Sequence, residues 1–332
     1  MNLFEQQALN RRRTWIVMAV FIALLLVVGA GFDVFILGEG QMFVPLGTAM
    51  ALMLGGGQAW WSLRFGDRAV LTSTSAQPLT DLLSQSPTEE MAFRYRQLDN
   101  VVEEMAIAAG LPKPAVYVIP DPDPNAFATG RDAEHASVAV TEGLLKALTR
   151  DELQGVLAHE LSHVRNLDIR LMTVVAALVG ALALLADWSS RIMRFGGSGG
   201  RRSRGKSGKG GGALVLVFFA VWILAVVLAP LLGRLLALGV SRRREYLADA
   251  SGAELTRNPL GLASALEKIE AAVEPTASVK RGSAHLCIAD PIGRSLNDEE
   301  GGWSSLLATH PPMAKRIAAL KEMAFVAAPS PR

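Results

Sequence analysis

The chain has 332 residues, of which 50% are hydrophobic and only 19% are charged. An average globular chain carries about a quarter charged residues, so this composition excludes intrinsic disorder and indicates long apolar stretches. A single cysteine, Cys287, excludes a disulfide-stapled secreted scaffold, and 33 basic against 31 acidic side chains give no case for a nucleic-acid partner.

Two apolar runs near the N-terminus predict a transmembrane hairpin. The first extends from Trp15 to Leu37 and the second from Met42 to Trp61, and about 20 apolar residues suffice to cross a bilayer. Arg11–Arg13 precede the first run, while Arg64 and Arg68 follow the second. The positive-inside rule therefore predicts that both ends of the hairpin are cytoplasmic.

A second hydrophobic pair is predicted at Leu171–Trp188 and Ala213–Val240. The linker Ser189–Gly212 between them is rich in glycine and basic residues, which is typical of a solvated linker or of a contact with anionic lipid headgroups. Its side of the membrane stays open, because arginines flank both ends of the pair. The charges Asp33 and Arg234 inside apolar runs would also fit a transporter, but snorkelling near helix ends explains them.

Between the two pairs the pattern is that of a globular domain. Thr88–Ala109 is helical and ends at Gly110, a C-cap residue. Three short strands are predicted at Ala115–Ile119, Ala126–Thr129 and Ala136–Thr141. The last of them is either a half-buried strand or an exposed edge that pairs with an extended peptide.

Thr149 and Glu152 form a capping box, which predicts a helix over Asp151–Asp168 that runs almost directly into the third apolar segment. Three further helices are predicted over Arg243–Ala253, from Asn258-Pro259, and after Pro311-Pro312.

His159-Glu160-Leu161-Ser162-His163 spells H-E-x-x-H within that capped helix. Residues four apart share one helical face, so both imidazoles can hold one metal ion while Glu160 lies beside them as a general base. Two imidazoles and a carboxylate would be costly among leucines and valines without such a partner. The pattern predicts a zinc hydrolase.

Catalytic zinc usually takes three protein ligands, so the sequence must supply one more. Glu245 is the best candidate, with Asp249 one turn later accepting a hydrogen bond from a ligand imidazole. An isolated E-x-x-x-D pair is more often a solvated helix face.

His310 precedes a helix start and, with Arg316, would stabilise the oxyanion formed when water attacks a peptide carbonyl.

These motifs together resemble the HtpX-type membrane zinc metalloproteases, bacterial relatives of the CAAX prenyl proteases. The matching segments are Asn125–Gly130, Val138–Leu145, His159–His163 with Asn166 and Asp168, Arg244–Asp249, and Thr309–Pro312.

The resemblance implies a multi-pass protein of the bacterial inner membrane whose catalytic domain faces the cytoplasm. One Zn²⁺ would be held by His159, His163 and Glu245, with Glu160 as base and His310 and Arg316 contacting the substrate or transition state. The substrates would be misfolded or damaged membrane proteins, in quality control and stress response. A catalytically inactive, zinc-containing adaptor or chaperone that binds unfolded segments is the alternative.

We therefore expect a mainly α membrane protein with a zincin-like α+β catalytic domain: the H-E-x-x-H helix, a small antiparallel or mixed sheet, and four apolar helices in two pairs. The predicted parts are a hairpin at 1–70, the first part of the catalytic domain at 71–170, the second apolar pair at 171–240 and the second part of the catalytic domain at 241–332. A substrate segment would add to the edge formed by Val138, Ala139 and Val140. The oligomeric state is left open.

Overall fold

The structure, a computed structural model, describes residues 3–36, 46–85, 88–178, 242–272, 276, 278–279, 286–289 and 311–327. Its first two elements are long helices, α1 (Leu3–Ile36) and α2 (Leu46–Ser73), which pack against each other. Both extend past the predicted apolar runs into polar sequence. Within the described ranges, no helix combines the length and the apolar character needed to cross a membrane. The fourth run and the basic linker lie outside the described residues.

A four-stranded mixed sheet follows the two long helices. Its strands are β1 (Gln77–Pro78), β2 (Ala115–Ile119), β3 (Ala126–Gly130) and β4 (Ala136–Thr141), in the order β1-β2-β4-β3. β4 pairs in parallel with β2 and antiparallel with β3.

The prediction that Val138, Ala139 and Val140 form an exposed edge is wrong. β4 has a hydrogen-bonded strand on each side, and all three side chains are completely buried. The half-buried alternative is also wrong, because both faces of β4 are covered. A run of small and β-branched residues buried on both faces is typical of a central strand.

The other helices form the bulk of the described chain and confirm a mainly helical fold with a small mixed sheet. They are α3 (Leu79–Ser84), α4 (Glu89–Ala109), α5 (Glu142–Ala147), α6 (Arg150–Arg165), α7 (168–178), α8 (Arg242–Thr256), α9 (Pro259–Ala271) and α10 (Met313–Ala327). α6 is the central helix, since it contacts α4, β3, α8 and α9. Its apolar side chains lie in the main core.

α6 ends earlier than the sequence predicts. Asn166 and Leu167 form a turn after Arg165, and the backbone of Leu167 has a φ of 58°. This left-handed conformation is uncommon for residues other than glycine and interrupts the helix. The predicted continuous helix through Asp168 is therefore wrong, and Asp168 instead begins α7.

The first turn of α6 is attached to α9 by Glu152. Its carboxylate accepts hydrogen bonds from the Thr149 main chain (2.8 Å), which completes the predicted capping box, and from Ser264 (2.6 Å) and Lys268 (2.7 Å). Gly155 allows the same contact, because a Cβ there would lie 2.8 Å from the Leu262 main-chain nitrogen. Burial would raise the pKa of Glu152, but these hydrogen bonds lower it to about 2.

We expect Glu152→Gln to destabilise the protein at neutral pH and much less at pH 3. Because the folded-state pKa of about 2 lies below the ordinary glutamate pKa of 4.5, the charge stabilises the fold above pH 4.5, and this contribution is lost as the pH falls towards 2. It amounts to about 3 kcal/mol at most. The free energy of unfolding of both proteins, measured from pH 7 to pH 3, checks this.

Glu142→Gln is the matched control, since Glu142 forms a partly exposed i, i+4 pair with Lys146. It should change the free energy of unfolding by less than about 0.5 kcal/mol at every pH. A Glu152→Gln effect that does not diminish on acidification would contradict the assignment.

Candidate metal centre

Two imidazoles converge on the inner face of α6. His159 and His163 are one helical turn apart, and their Nε2 atoms are 3.3 Å from each other. Their rings are nearly perpendicular, with centroids 4.9 Å apart and an interplanar angle of 88°. Both side chains are buried, at 1% and 4% exposure. The spacing on the helix therefore presents two ring nitrogens to one point.

A carboxylate from α8 completes this group. One oxygen of Glu245 lies 3.8 Å from His159 Nε2, and the other lies 3.7 Å from His163 Nε2. The donor atoms of the three residues are all within 4.8 Å of one another, and all three residues are buried. The structure thus brings together the three residues that the sequence predicts as metal ligands.

The packing of α8 on α6 depends on a glycine opposite the first imidazole. A Cβ at Gly252 would lie 3.1 Å from the His159 main-chain nitrogen and 3.3 Å from its Cα. Without a side chain there, the two helix backbones approach closely. Glu245 and Asp249, both on α8, are thereby placed against the imidazoles of α6.

The donor set and the local charge fit a divalent cation. Two imidazoles and one carboxylate are the ligands that catalytic zinc commonly takes, and they leave a coordination position open. Around the imidazoles the described residues include four buried carboxylates, on Glu160, Asp168, Glu245 and Asp249, against two buried guanidinium groups, on Arg244 and Arg316. The carboxylates outnumber the guanidinium groups, and a divalent cation would offset this excess of negative charge. Burial alone would lower the pKa of His163, but Asp168, Glu245 and Glu160 raise it to about 9, which shows how strongly the surroundings favour positive charge at this point.

His159 is oriented by a carboxylate, as the sequence predicts. Its Nδ1 lies 2.9 Å from Asp249 Oδ1. Arg316 donates to both oxygens of Asp249, at 2.7 and 2.8 Å. Burial alone would raise the pKa of Asp249, but the adjacent Arg316 lowers it to about 2. Asp249 therefore presents a carboxylate to the Nδ1 side of His159, and the Nε2 of that ring faces His163 and Glu245.

His163 has an equivalent partner that the sequence analysis did not assign. Its Nδ1 lies 3.1 Å from Asp168 Oδ2, and Arg244 approaches Asp168 Oδ1 at 3.3 Å. The turn at Asn166 and Leu167 produces this contact, since a continuous helix would carry Asp168 away from His163. An aspartate five residues after the second histidine was the available signal.

Glu160 lies beside the two imidazoles and is 1% exposed. Burial raises the pKa of its carboxyl and the nearby Glu245 adds to this, while the two imidazoles and a hydrogen bond from the Ala128 main chain act in the opposite direction. Glu160 therefore lies at the edge strand β3, next to the predicted ligands.

The remaining predicted residues have different outcomes. Arg316 is fully buried and bound to Asp249 and the Ile288 carbonyl (3.1 Å). Its guanidinium group also lies 3.5 Å from Glu245 Oε2 and 3.5 Å from His159 Nε2, so it borders the predicted metal ligands directly. His310 lies outside the described residues. His135 is an exposed residue paired with Asp132.

Comparisons with known proteins give consistent matches. The chain matches the model of peptidase family M48 over residues 92–324. A "Protease HtpX homolog" of Thermoanaerobacter pseudethanolicus is 41% identical over 322 residues, covering 97% of this chain and 98% of that protein. Another, of Lactiplantibacillus plantarum, is 43% identical over 323 residues, covering 97% and 100%.

Among solved structures, the crystal structure of S. mikatae Ste24p matches with a TM-score of 0.46 at 18% identity, covering 96% of this chain and 66% of that one.

We expect Asp249→Asn to weaken Zn²⁺ binding by about 10- to 100-fold, the usual effect of losing a carboxylate behind a ligand imidazole. The reason is that His159 would lose the acceptor that fixes its tautomer. Competition with a chromophoric chelator measures the affinity. Glu254→Gln, at an exposed site on the same helix, should bind Zn²⁺ like the wild type, and equal affinity of all three proteins would refute the role of Asp249.

Proposed function

Because this chain belongs to peptidase family M48, we propose that it is a membrane-bound, zinc-dependent endopeptidase with Glu160 as its general base. The family confirms the resemblance that the sequence motifs indicate. The observation that carries the proposal is the convergence of His159, His163 and Glu245, with Glu160 buried beside them.

In this proposal His159, His163 and Glu245 hold the ion, which when bound supplies Lewis-acid polarisation of a peptide carbonyl and of water. Asp249 and Asp168 keep the two imidazoles in the tautomer that directs Nε2 inward. Glu160 accepts a proton from the attacking water and transfers it to the nitrogen of the leaving amine. The C–N bond is thus replaced by a C–O bond, and the proton is conserved. His310 stays our candidate for a contact with the transition state.

The substrate contact that we propose is on β3, in place of Val138–Val140 on β4. β3 is a terminal strand of the sheet and contacts α6. Its outer edge is occupied at one end by Ile288, whose N–H donates to the Ala126 carbonyl (2.9 Å). At the other end the Gly130 N–H donates to Thr173 (3.0 Å). Ala128 lies between them, with its main chain bonded to Glu160 and its side chain only 2% exposed. We propose that an extended segment meets the main chain of β3 at this point.

Recognition of main-chain groups would permit many sequences, which suits a protease that degrades misfolded or damaged membrane proteins. We propose these as the substrates, following the resemblance described above.

We propose the bacterial inner membrane as the location of this protein. Large apolar side chains are exposed on α1 and α2, among them Trp15 (57%), Met53 (71%) and Trp60 (61%), and a lipid bilayer would cover them. The arginine-rich end of the hairpin contacts the rest of the chain, since Gln7 donates to the Arg165 carbonyl (2.8 Å). Together with the positive-inside rule, this contact supports our proposal that the metal centre is on the cytoplasmic side.

We expect Glu160→Gln to reduce cleavage of an unfolded model protein, and of the chain itself, by at least about 100-fold while Zn²⁺ binding is retained. Loss of the base, with the ligands intact, is the reason. Cleavage by detergent-purified proteins with and without added Zn²⁺ measures it, and the zinc content is determined in parallel.

Glu103→Gln is the control, because Glu103 pairs with Lys113 at the surface. It should cleave like the wild type. If wild type and Glu160→Gln are equally inert yet both bind unfolded protein, the adaptor function replaces the protease, and the metal is structural.

A further inference from the structure

An asparagine of the N-terminal helix reaches the metal centre. Asn10 on α1 is only 1% exposed, although both of its sequence neighbours are exposed. Its Nδ2 lies 2.7 Å from Asp168 Oδ1 and 3.0 Å from the Asn166 carbonyl oxygen. Asp168 is 158 residues away in the chain and is the carboxylate that faces His163.

Both hydrogens of the Asn10 amide are used in these contacts. One is donated to the carbonyl of Asn166, which α6 leaves without an intrahelical partner at its C-terminus. The other is donated to Asp168. A reversed amide would place its oxygen against two acceptors, so the hydrogen-bond network determines the orientation. One side chain therefore attaches both the end of α6 and the carboxylate behind His163 to α1.

Asp168 is held from two sides as a result. Oδ1 accepts from Asn10 and faces Arg244, while Oδ2 faces His163 Nδ1. The bond from Asn10 is the shorter of the two to Oδ1, at 2.7 against 3.3 Å. Restricting the rotation of this carboxylate restricts the imidazole ring that donates to it.

We propose that Asn10 is a positioning residue for the metal ligand His163, acting through Asp168. This inference rests on the proposed metal site. If Asn10 has this role, the N-terminal hairpin stabilises the geometry of the metal centre in addition to holding the protein at the membrane. Each ligand imidazole then has its own support: α10, through Arg316 and Asp249, orients His159, and α1, through Asn10 and Asp168, orients His163.

Gln7 on the same helix provides a control. A variant at Gln7 distinguishes positioning of His163 from the mere packing of α1 against α6. Gln7 also donates a hydrogen bond from α1, to the Arg165 carbonyl at 2.8 Å. It thus joins the same two elements without touching Asp168. Gln7→Ala should loosen the helix contact and leave the metal ligands in place.

The test uses the full-length protein in detergent. We expect Asn10→Ala to weaken Zn²⁺ binding about tenfold in chelator competition. Asn10→Asp, which keeps the shape but sets a carboxylate against Asp168, should weaken it further. Gln7→Ala should bind Zn²⁺ within about twofold of the wild type, well below the effect expected for the Asn10 variants. The visible spectrum of the Co²⁺-loaded protein should change in Asn10→Ala and not in Gln7→Ala, since it reports ligand geometry.

A double-mutant cycle tests the route through Asp168. In an Asp168→Asn background, Asn10→Ala should produce little further loss of Zn²⁺ affinity, because the two residues act in series. Thermal unfolding of the metal-free proteins identifies any variant that fails to fold, and Asn10→Ser then serves as the milder substitution.

The outcomes are distinguishable. A wild type that does not bind Zn²⁺ would overturn the proposed function itself. A wild type that binds, with Asn10→Ala and Asn10→Asp binding equally well, would overturn only the role of Asn10. Additive losses in the cycle, or an equal loss in Gln7→Ala, would also contradict it.

Discussion

Burial of charge around two imidazoles is the constraint on which the site depends. Carboxylates and guanidinium groups that lose their water are tolerated only when each has a partner of opposite charge or a hydrogen bond. Asp249 is paired with Arg316 and Asp168 with Arg244. A divalent cation between His159, His163 and Glu245 would neutralise the rest. The helices that carry these charged side chains, α7, α8 and α10, are therefore held close to α6.

Apolar packing around α6 also holds the two histidines in place. α6 is stabilised by its capping box and lies in the core, so its two histidines are presented from a rigid element. Gly155 and Gly252 let α9 and α8 approach its backbone closely. A site built on helices in this way can hold its donors with little movement, which a metal centre requires.

The arrangement around α6 also relates the metal centre to the edge of the sheet. β3 lies between the interior strand β4 and α6, with Ala128 next to Glu160. The Ile288 contact with Ala126 occupies one end of the outer edge of β3, and the side chains of this strand are buried.

Much of this was determined by the sequence alone: the longer helices, the capping box of α6, the three longer strands, the H-E-x-x-H face, and Glu245 and Asp249 as candidate partners of its histidines. These depend on local periodicity and on spacings within one helix, which do not need the fold. Only the tertiary structure decided that β4 is interior, that α6 breaks at Leu167 so that Asp168 supports His163, and that Asn10 reaches that carboxylate. Strand neighbours and buried charge partners come from segments far apart in the chain, and local patterns carry no information about which of them will meet.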